Sequence, residues 1–164
     1  MLETVDSHPS IVVAERKRRE LHQSIDLEVT ADTAFAALRE VEKWPVWLSF
    51  LRSVKVLSGR TVGLGTEVAV RSAIPGEEEE LFEVDRYIDG HLLSLVGFYS
   101  CRRRFEFRVE RRVERSRIQA RLDYPAYGGL VGALVDRLTA RRRLGEALGE
   151  SLIHFKGLVE YDAP

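Results

Sequence analysis

The apolar pattern of this chain changes period once, near Gly128, and that single change restricts its possible folds. Before it, short runs alternate with a period of two. After it, Leu130, Leu134, Leu138, Leu148, Leu152, Phe155 and Val159 form one helical stripe between Gly128 and Glu160. At about 1.5 Å rise per residue, a helix of that length crosses a whole domain. Gly145 and Gly149 weaken it locally and are expected to mark a bend.

The part before the change reads as one strand, two short helices and about six further strands. In Leu21 to Val29, residues Leu21, Ile25, Leu27 and Val29 share one face, while His22, Ser24, Asp26 and Glu28 share the other. Thr30 is placed to cap a following helix carrying Phe35, Leu38 and Val41, with Asp32 in its first turn. That helix is expected to stop before Pro45, because a residue preceding proline avoids the helical region. Trp47, Leu48, Phe50 and Leu51 then suggest a second short helix.

Strands are expected at Val54 to Leu57, Thr66 to Arg71, Glu79 to Ile88, His91 to Tyr99, Arg102 to Glu110 and Ser116 to Tyr124. The breaks between them carry Ser58-Gly59, Gly63-Leu64-Gly65, Pro75-Gly76, Asp89-Gly90 and Arg111 to Arg115. Strands segregated from helices imply an α+β fold, not a parallel α/β sheet. The simplest packing lays the long helix across the concave face of a curved antiparallel sheet of about seven strands.

The chain has 164 residues, enough for one domain that buries roughly two thirds of its unfolded surface. Residues 1–20 read as an N-terminal extension, with Ile11-Val12-Val13 as a possible short strand, and residues 21–164 as a single domain. The 25 basic and 26 acidic residues leave a net charge of -1, which argues against nucleic-acid binding. No apolar run reaches the roughly 18 residues of a membrane span. Met1 to Ser10 lacks the order of a signal peptide, and the one cysteine, Cys101, gives no disulfide, so a cytoplasmic location is expected.

Four segments together resemble the polyketide cyclase/dehydrase and START-related superfamily, whose fold is the helix-grip. The resemblance spans roughly Leu21 to Glu160. Its first piece is the opening strand with Thr30-Ala31-Asp32-Thr33-Ala34-Phe35, and its second is Trp44-Pro45-Val46-Trp47. The third is Val62-Gly63-Leu64-Gly65-Thr66, before a strand. The fourth is the end of the long helix, Leu148 to Glu160, with Ser151-Leu152 and Lys156. The resemblance implies an internal cavity between sheet and long helix that holds a lipid-like or polycyclic molecule. It transfers no catalytic residue, since members include carriers, receptors, cyclases and dehydratases.

The residues themselves exclude several chemistries. His8, His22, His91 and His154 offer no ligand pair on one element, and there is no Cys-x-x-Cys, so no metal or other cofactor is expected. Gly63-Leu64-Gly65 lacks the lysine and helix of a phosphate-binding loop. No nucleophile motif occurs, and Cys101 reads as an ordinary small residue.

What remains are polar residues on apolar faces. Arg103 shares its face with Phe105, Phe107 and Val109, whereas Arg102, Arg104, Glu106 and Arg108 point away. Arg103 either meets a ligand oxyanion or sits at the sheet margin against a structural acid. Tyr124 follows Ile118, Ala120 and Leu122 inward, and serves either to orient a ligand or as a rim residue. Arg71 is expected to point outward, opposite Val68 and Val70, unless a bulge in a bent sheet switches its parity. Trp47, Phe82, Phe98, Phe105, Leu134, Leu138 and Leu152 complete the candidate lining, each equally acceptable as plain core. The acidic run Glu77 to Glu80 reads as solvated, and Arg141-Arg142-Arg143 as a largely exposed basic turn.

The expected function is binding of a small hydrophobic ligand, as carrier or sensor, by a monomer or homodimer without membrane insertion. A cyclase, aromatase or dehydratase using a cavity arginine and tyrosine is the alternative. A protein-interaction module using the sheet edge or the basic helix is the third reading.

Overall fold

The computed structural model describes residues 18–73, 78–98, 103–125 and 141–161. The expected strand at Ile11 to Val13, together with Cys101, Leu134 and Leu138, lies outside these residues.

Among the described residues, seven antiparallel strands form one sheet in the order β1-β7-β6-β5-β4-β3-β2. They are β1 (Arg18–Leu27), β2 (Leu51–Val56), β3 (Glu67–Ser72), β4 (Glu79–Ile88), β5 (Leu92–Gly97), β6 (Arg104–Arg111) and β7 (Ser116–Pro125). Register shifts at Leu51/Ser53 in β2 and Val84/Arg86 in β4 increase the local twist. Between β1 and β2 lie α1 (Ala31–Arg39), a 3-10 turn (Val41–Lys43) and α2 (Trp44–Trp47); the last described element is α3 (Arg141–Tyr161). This is the α+β helix-grip architecture that the change of period predicts.

Local chemistry explains the helix ends. Thr30 is extended, and its hydroxyl accepts from the Thr33 amide at 3.3 Å, which starts α1. The second helix corrects the sequence expectation. It runs over Trp44–Trp47, and the chain is already extended at Leu48, with φ -87° and ψ 92°. Trp44 precedes Pro45 yet is helical, with φ -54° and ψ -38°. Pro45 sits in the first turn, where its missing N–H has no helical partner to lose. In the turn after β2, Gly65 has φ 79°, which accounts for a glycine there.

The core lies on the concave face. Leu93 and Leu95 of β5, Phe105, Phe107 and Val109 of β6, and Ile118, Ala120 and Leu122 of β7 are buried there. Against them α3 turns Leu148, Leu152, Phe155 and Val159. Trp47 joins helix to sheet, its ring centroid 4.8 Å from Phe155 and 5.6 Å from Phe107.

Side chains bond backbone groups at both sheet edges. At the end of β1, the Asp26 carbonyl accepts from Lys156 Nζ at 2.8 Å, and just beyond the strand the Glu28 amide donates to Glu160 Oε1 at 2.7 Å. On β2, the Val56 amide donates to Glu42 Oε1 at 3.0 Å. These three edge backbone groups are partnered by side chains rather than left open to strand addition. Gly145 and Gly149 lie where α3 runs over Leu21 and Gln23 of β1, and the helix is continuous through both.

Candidate functional site

Strand register brings the polar residues of the concave face to one end of the sheet. Arg19 stands opposite Tyr124, and the Gly97 amide donates to the Arg103 carbonyl at 2.9 Å, which extends the β5–β6 ladder. Phe82 is paired with Gly97, and Glu80 with Val70. By alternation from the buried rows, Tyr124, Arg103, Gly97 and Glu80 all face inward at this end.

Arg103 and Glu80 meet there, with Nε to Oε2 at 3.9 Å and side chains 24 % and 18 % exposed. Tyr124 is buried, and its hydroxyl oxygen is shielded from solvent. Glu80 corrects the reading of Glu77 to Glu80 as a solvated run. Glu78 and Glu79 are exposed, but Glu80 shares the parity of Phe82 and Val84 and turns inside. Its carboxylate lies over the bare Cα of Gly97, where a β-carbon would stand 2.7 Å from Oε1. The alternation signal for Glu80 was present in the sequence; its acidic neighbours masked it.

Below this polar end the face is aromatic and aliphatic. Phe105 is 5.4 Å from Phe82 and stacks on Phe50 at 6.2 Å and 11°. Trp47, Phe82, Phe105 and Leu152 are all buried on this interior. Phe98 is not brought in. It follows the inward Gly97 and is 50 % exposed, so it stands at the margin. Arg71 points outward and meets Glu79 at 3.7 Å.

The outer face holds a different kind of chemistry. Glu106 faces outward, as alternation requires, yet its side chain is only 4 % exposed. Arg86 and Arg108 bond its two carboxylate oxygens at 3.2 and 2.9 Å. Arg121 binds Asp123 at 2.8 Å and Glu20 at 2.7 Å, and the bond to Asp123 raises its guanidinium above the usual range. Beside these pairs lies a polar depression of about 520 Å³, lined by His22, Ser24, Glu106, Arg108, Gln119 and Arg121 among others. None of the sequence-predicted site residues lines it. No group of three metal-ligating side chains occurs among the described residues.

Residues 18–160 match the family described as polyketide cyclase/dehydrase and lipid transport. The chain belongs to that family. Solved structures share its helix-grip fold at low identity. One from Thermus thermophilus is 15 % identical with a TM-score of 0.73, covering 89 % of this chain and 100 % of its own. The Zhui aromatase/cyclase from a Streptomyces species is 16 % identical with a TM-score of 0.66, covering 88 % and 94 %. A START superfamily protein from Mycobacterium smegmatis is 16 % identical with a TM-score of 0.65, covering 88 % and 99 %. No curated protein matches the chain. For this member of the polyketide cyclase/dehydrase and lipid transport family, such likeness establishes the fold. No described helix is long and apolar enough to cross a membrane.

Proposed function

We propose that this protein binds a small hydrophobic molecule between the concave face of the sheet and α3, as a cytoplasmic carrier or sensor. The observation that carries the reading is the division of the concave face. Trp47, Phe82, Phe105, Leu122 and Leu152 offer an apolar wall, while Arg103, Glu80 and Tyr124 gather at one end. An apolar body with a few orienting polar groups is the usual composition of a small-molecule site. The family description, which includes lipid transport, supports the same reading.

The test combines native mass spectrometry of the purified protein with titration of a fluorescent lipid probe. A retained small molecule, or saturable probe binding displaced by lipid, is the expected result. Silence in both measurements overturns the reading.

The second reading is an enzyme of the aromatase, cyclase or dehydratase type. Its support is the same polar end, since an arginine stabilises an enolate oxygen while a tyrosine and a carboxylate exchange protons. Arg103→Ala and Tyr124→Phe would each abolish turnover of a poly-β-ketone substrate in a folded protein. Unchanged rates in both variants remove that assignment.

A further inference from the structure

Within that binding reading, and resting on it, the geometry points to Glu80 as the residue that sets the charge class of the ligand. We infer that the site takes neutral molecules ending in a hydroxyl or carbonyl, and discriminates against those ending in a carboxylate.

An inward arginine at the end of an apolar wall is, by itself, a receptor for a fatty-acid-like anion. Here Arg103 already faces a carboxylate of the protein, 3.9 Å from Glu80 Oε2. Both side chains are more than three-quarters removed from water, so the charges at this end act through a lower dielectric than at the surface. A ligand carboxylate approaching Arg103 comes beside Glu80 as a like charge, and one of the two must leave or take up a proton. A neutral ligand meets no such conflict. Its hydroxyl donates to Glu80 and accepts from Arg103 or Tyr124; a carbonyl accepts from either of the latter.

The position of Glu80 is built into the sheet. Its carboxylate occupies the space above Gly97 that any other residue would fill with a β-carbon, 2.7 Å from Oε1. Phe82, two residues on along the same face, lies 3.5 Å from that same point and bounds the space on the apolar side. Gly97 is the last residue of β5, and a glycine in a strand commonly marks such a close approach. Leu95, the next inward residue of β5, and Phe105, paired with Leu95 on β6, are large and buried.

The experiment displaces Nile red, a neutral probe, with dodecan-1-ol and with dodecanoate at pH 7.5, in wild type, Glu80→Gln and Arg103→Gln. The wild type is expected to bind the alcohol at least about ten-fold more tightly than the carboxylate, a ratio well within what one nearby charge sustains. Glu80→Gln removes the like charge and is expected to erase or invert that preference. Arg103→Gln leaves Glu80 alone and is expected to widen it. These opposite shifts cannot both arise from partial unfolding, which weakens both ligands together. A wild type that prefers dodecanoate, or a preference that is the same in all three proteins, overturns the inference and leaves the binding reading standing. Failure of all three proteins to bind Nile red, alcohol or carboxylate overturns the binding reading and the inference with it.

Discussion

The indole nitrogen of Trp44 donates to the carbonyl oxygen of Leu38 at 2.8 Å, and both residues are buried. Leu38 lies in the last turn of α1, where carbonyls have lost their helical partners, so the tryptophan closes that helix. It also packs edge-on against Phe107 at 5.1 Å, beneath the apolar wall. Trp44→Phe keeps most of the ring contact and removes the donor. The expected loss is about 1–3 kcal/mol, the cost of a buried carbonyl left without its bond. Urea denaturation of the two proteins checks it, and equal stability would show that Leu38 finds another donor.

Two glycines in α3 carry no structural requirement for lacking a side chain. A β-carbon at Gly149 would meet Gln23 at 3.8 Å, an ordinary contact, and one at Gly157 would meet nothing within 4 Å. Gly149→Ala and Gly157→Ala are each expected to stabilise the protein by about 0.5–1 kcal/mol, through the lower helix propensity and greater unfolded-state freedom of glycine. Thermal unfolding measures the gain. A loss at Gly149 would mean that α3 must approach β1 more closely than it does here.

Acid should weaken the β1–β7 pairing at one identifiable place. Arg117 bonds both oxygens of Asp26, at 2.7 and 3.0 Å, and that bond holds the Asp26 carboxyl below its ordinary value of 3.8. A carboxyl whose pKa is depressed on folding contributes stability above its unfolded pKa, and that contribution is lost as pH falls through the folded value. The pair therefore contributes fully at neutral pH and fades below about pH 4. Asp26→Asn is expected to lower the thermal midpoint at pH 7, by an amount that shrinks as pH falls below the ordinary carboxylate range. The pair is solvent-exposed, so added salt should shrink the difference at pH 7. A substitution effect independent of pH would assign it to packing instead.

Alternation carried most of the site, and tertiary structure supplied the rest. Arg103 and Tyr124 turn inward because each continues a row of buried residues, which a period of two already states. Glu80 obeys the same rule through Phe82 and Val84, but three neighbouring glutamates made the segment look solvated. The burial of Glu106 was not legible. Its cover comes from Arg86, on a strand that approaches only through the sheet order, and from Arg108. Trp44 shows the limit of a local rule: the bias against helix before proline yields where the proline sits in the first turn of a helix whose two tryptophans, Trp44 and Trp47, are buried in the core. Phe98 fell outside the wall because Gly97 takes the inward position, so alternation turns Phe98 away from the concave face.

The last expectation separates the two roles open to Tyr124. Its ring is buried beside Leu122 at the end of β7, and its hydroxyl oxygen is shielded from water at the polar end of the concave face. If the hydroxyl orients a ligand, Tyr124→Phe leaves the apolar wall intact and removes one hydrogen bond. The dissociation constant for dodecan-1-ol is then expected to rise about five-fold, the equivalent of roughly 1 kcal/mol. If the hydroxyl serves only the protein, the variant lowers the urea midpoint and leaves the dissociation constant alone. Measured side by side on one preparation, these quantities move differently. A five-fold weaker affinity at unchanged stability assigns the hydroxyl to the ligand, and lower stability at unchanged affinity assigns it to the fold.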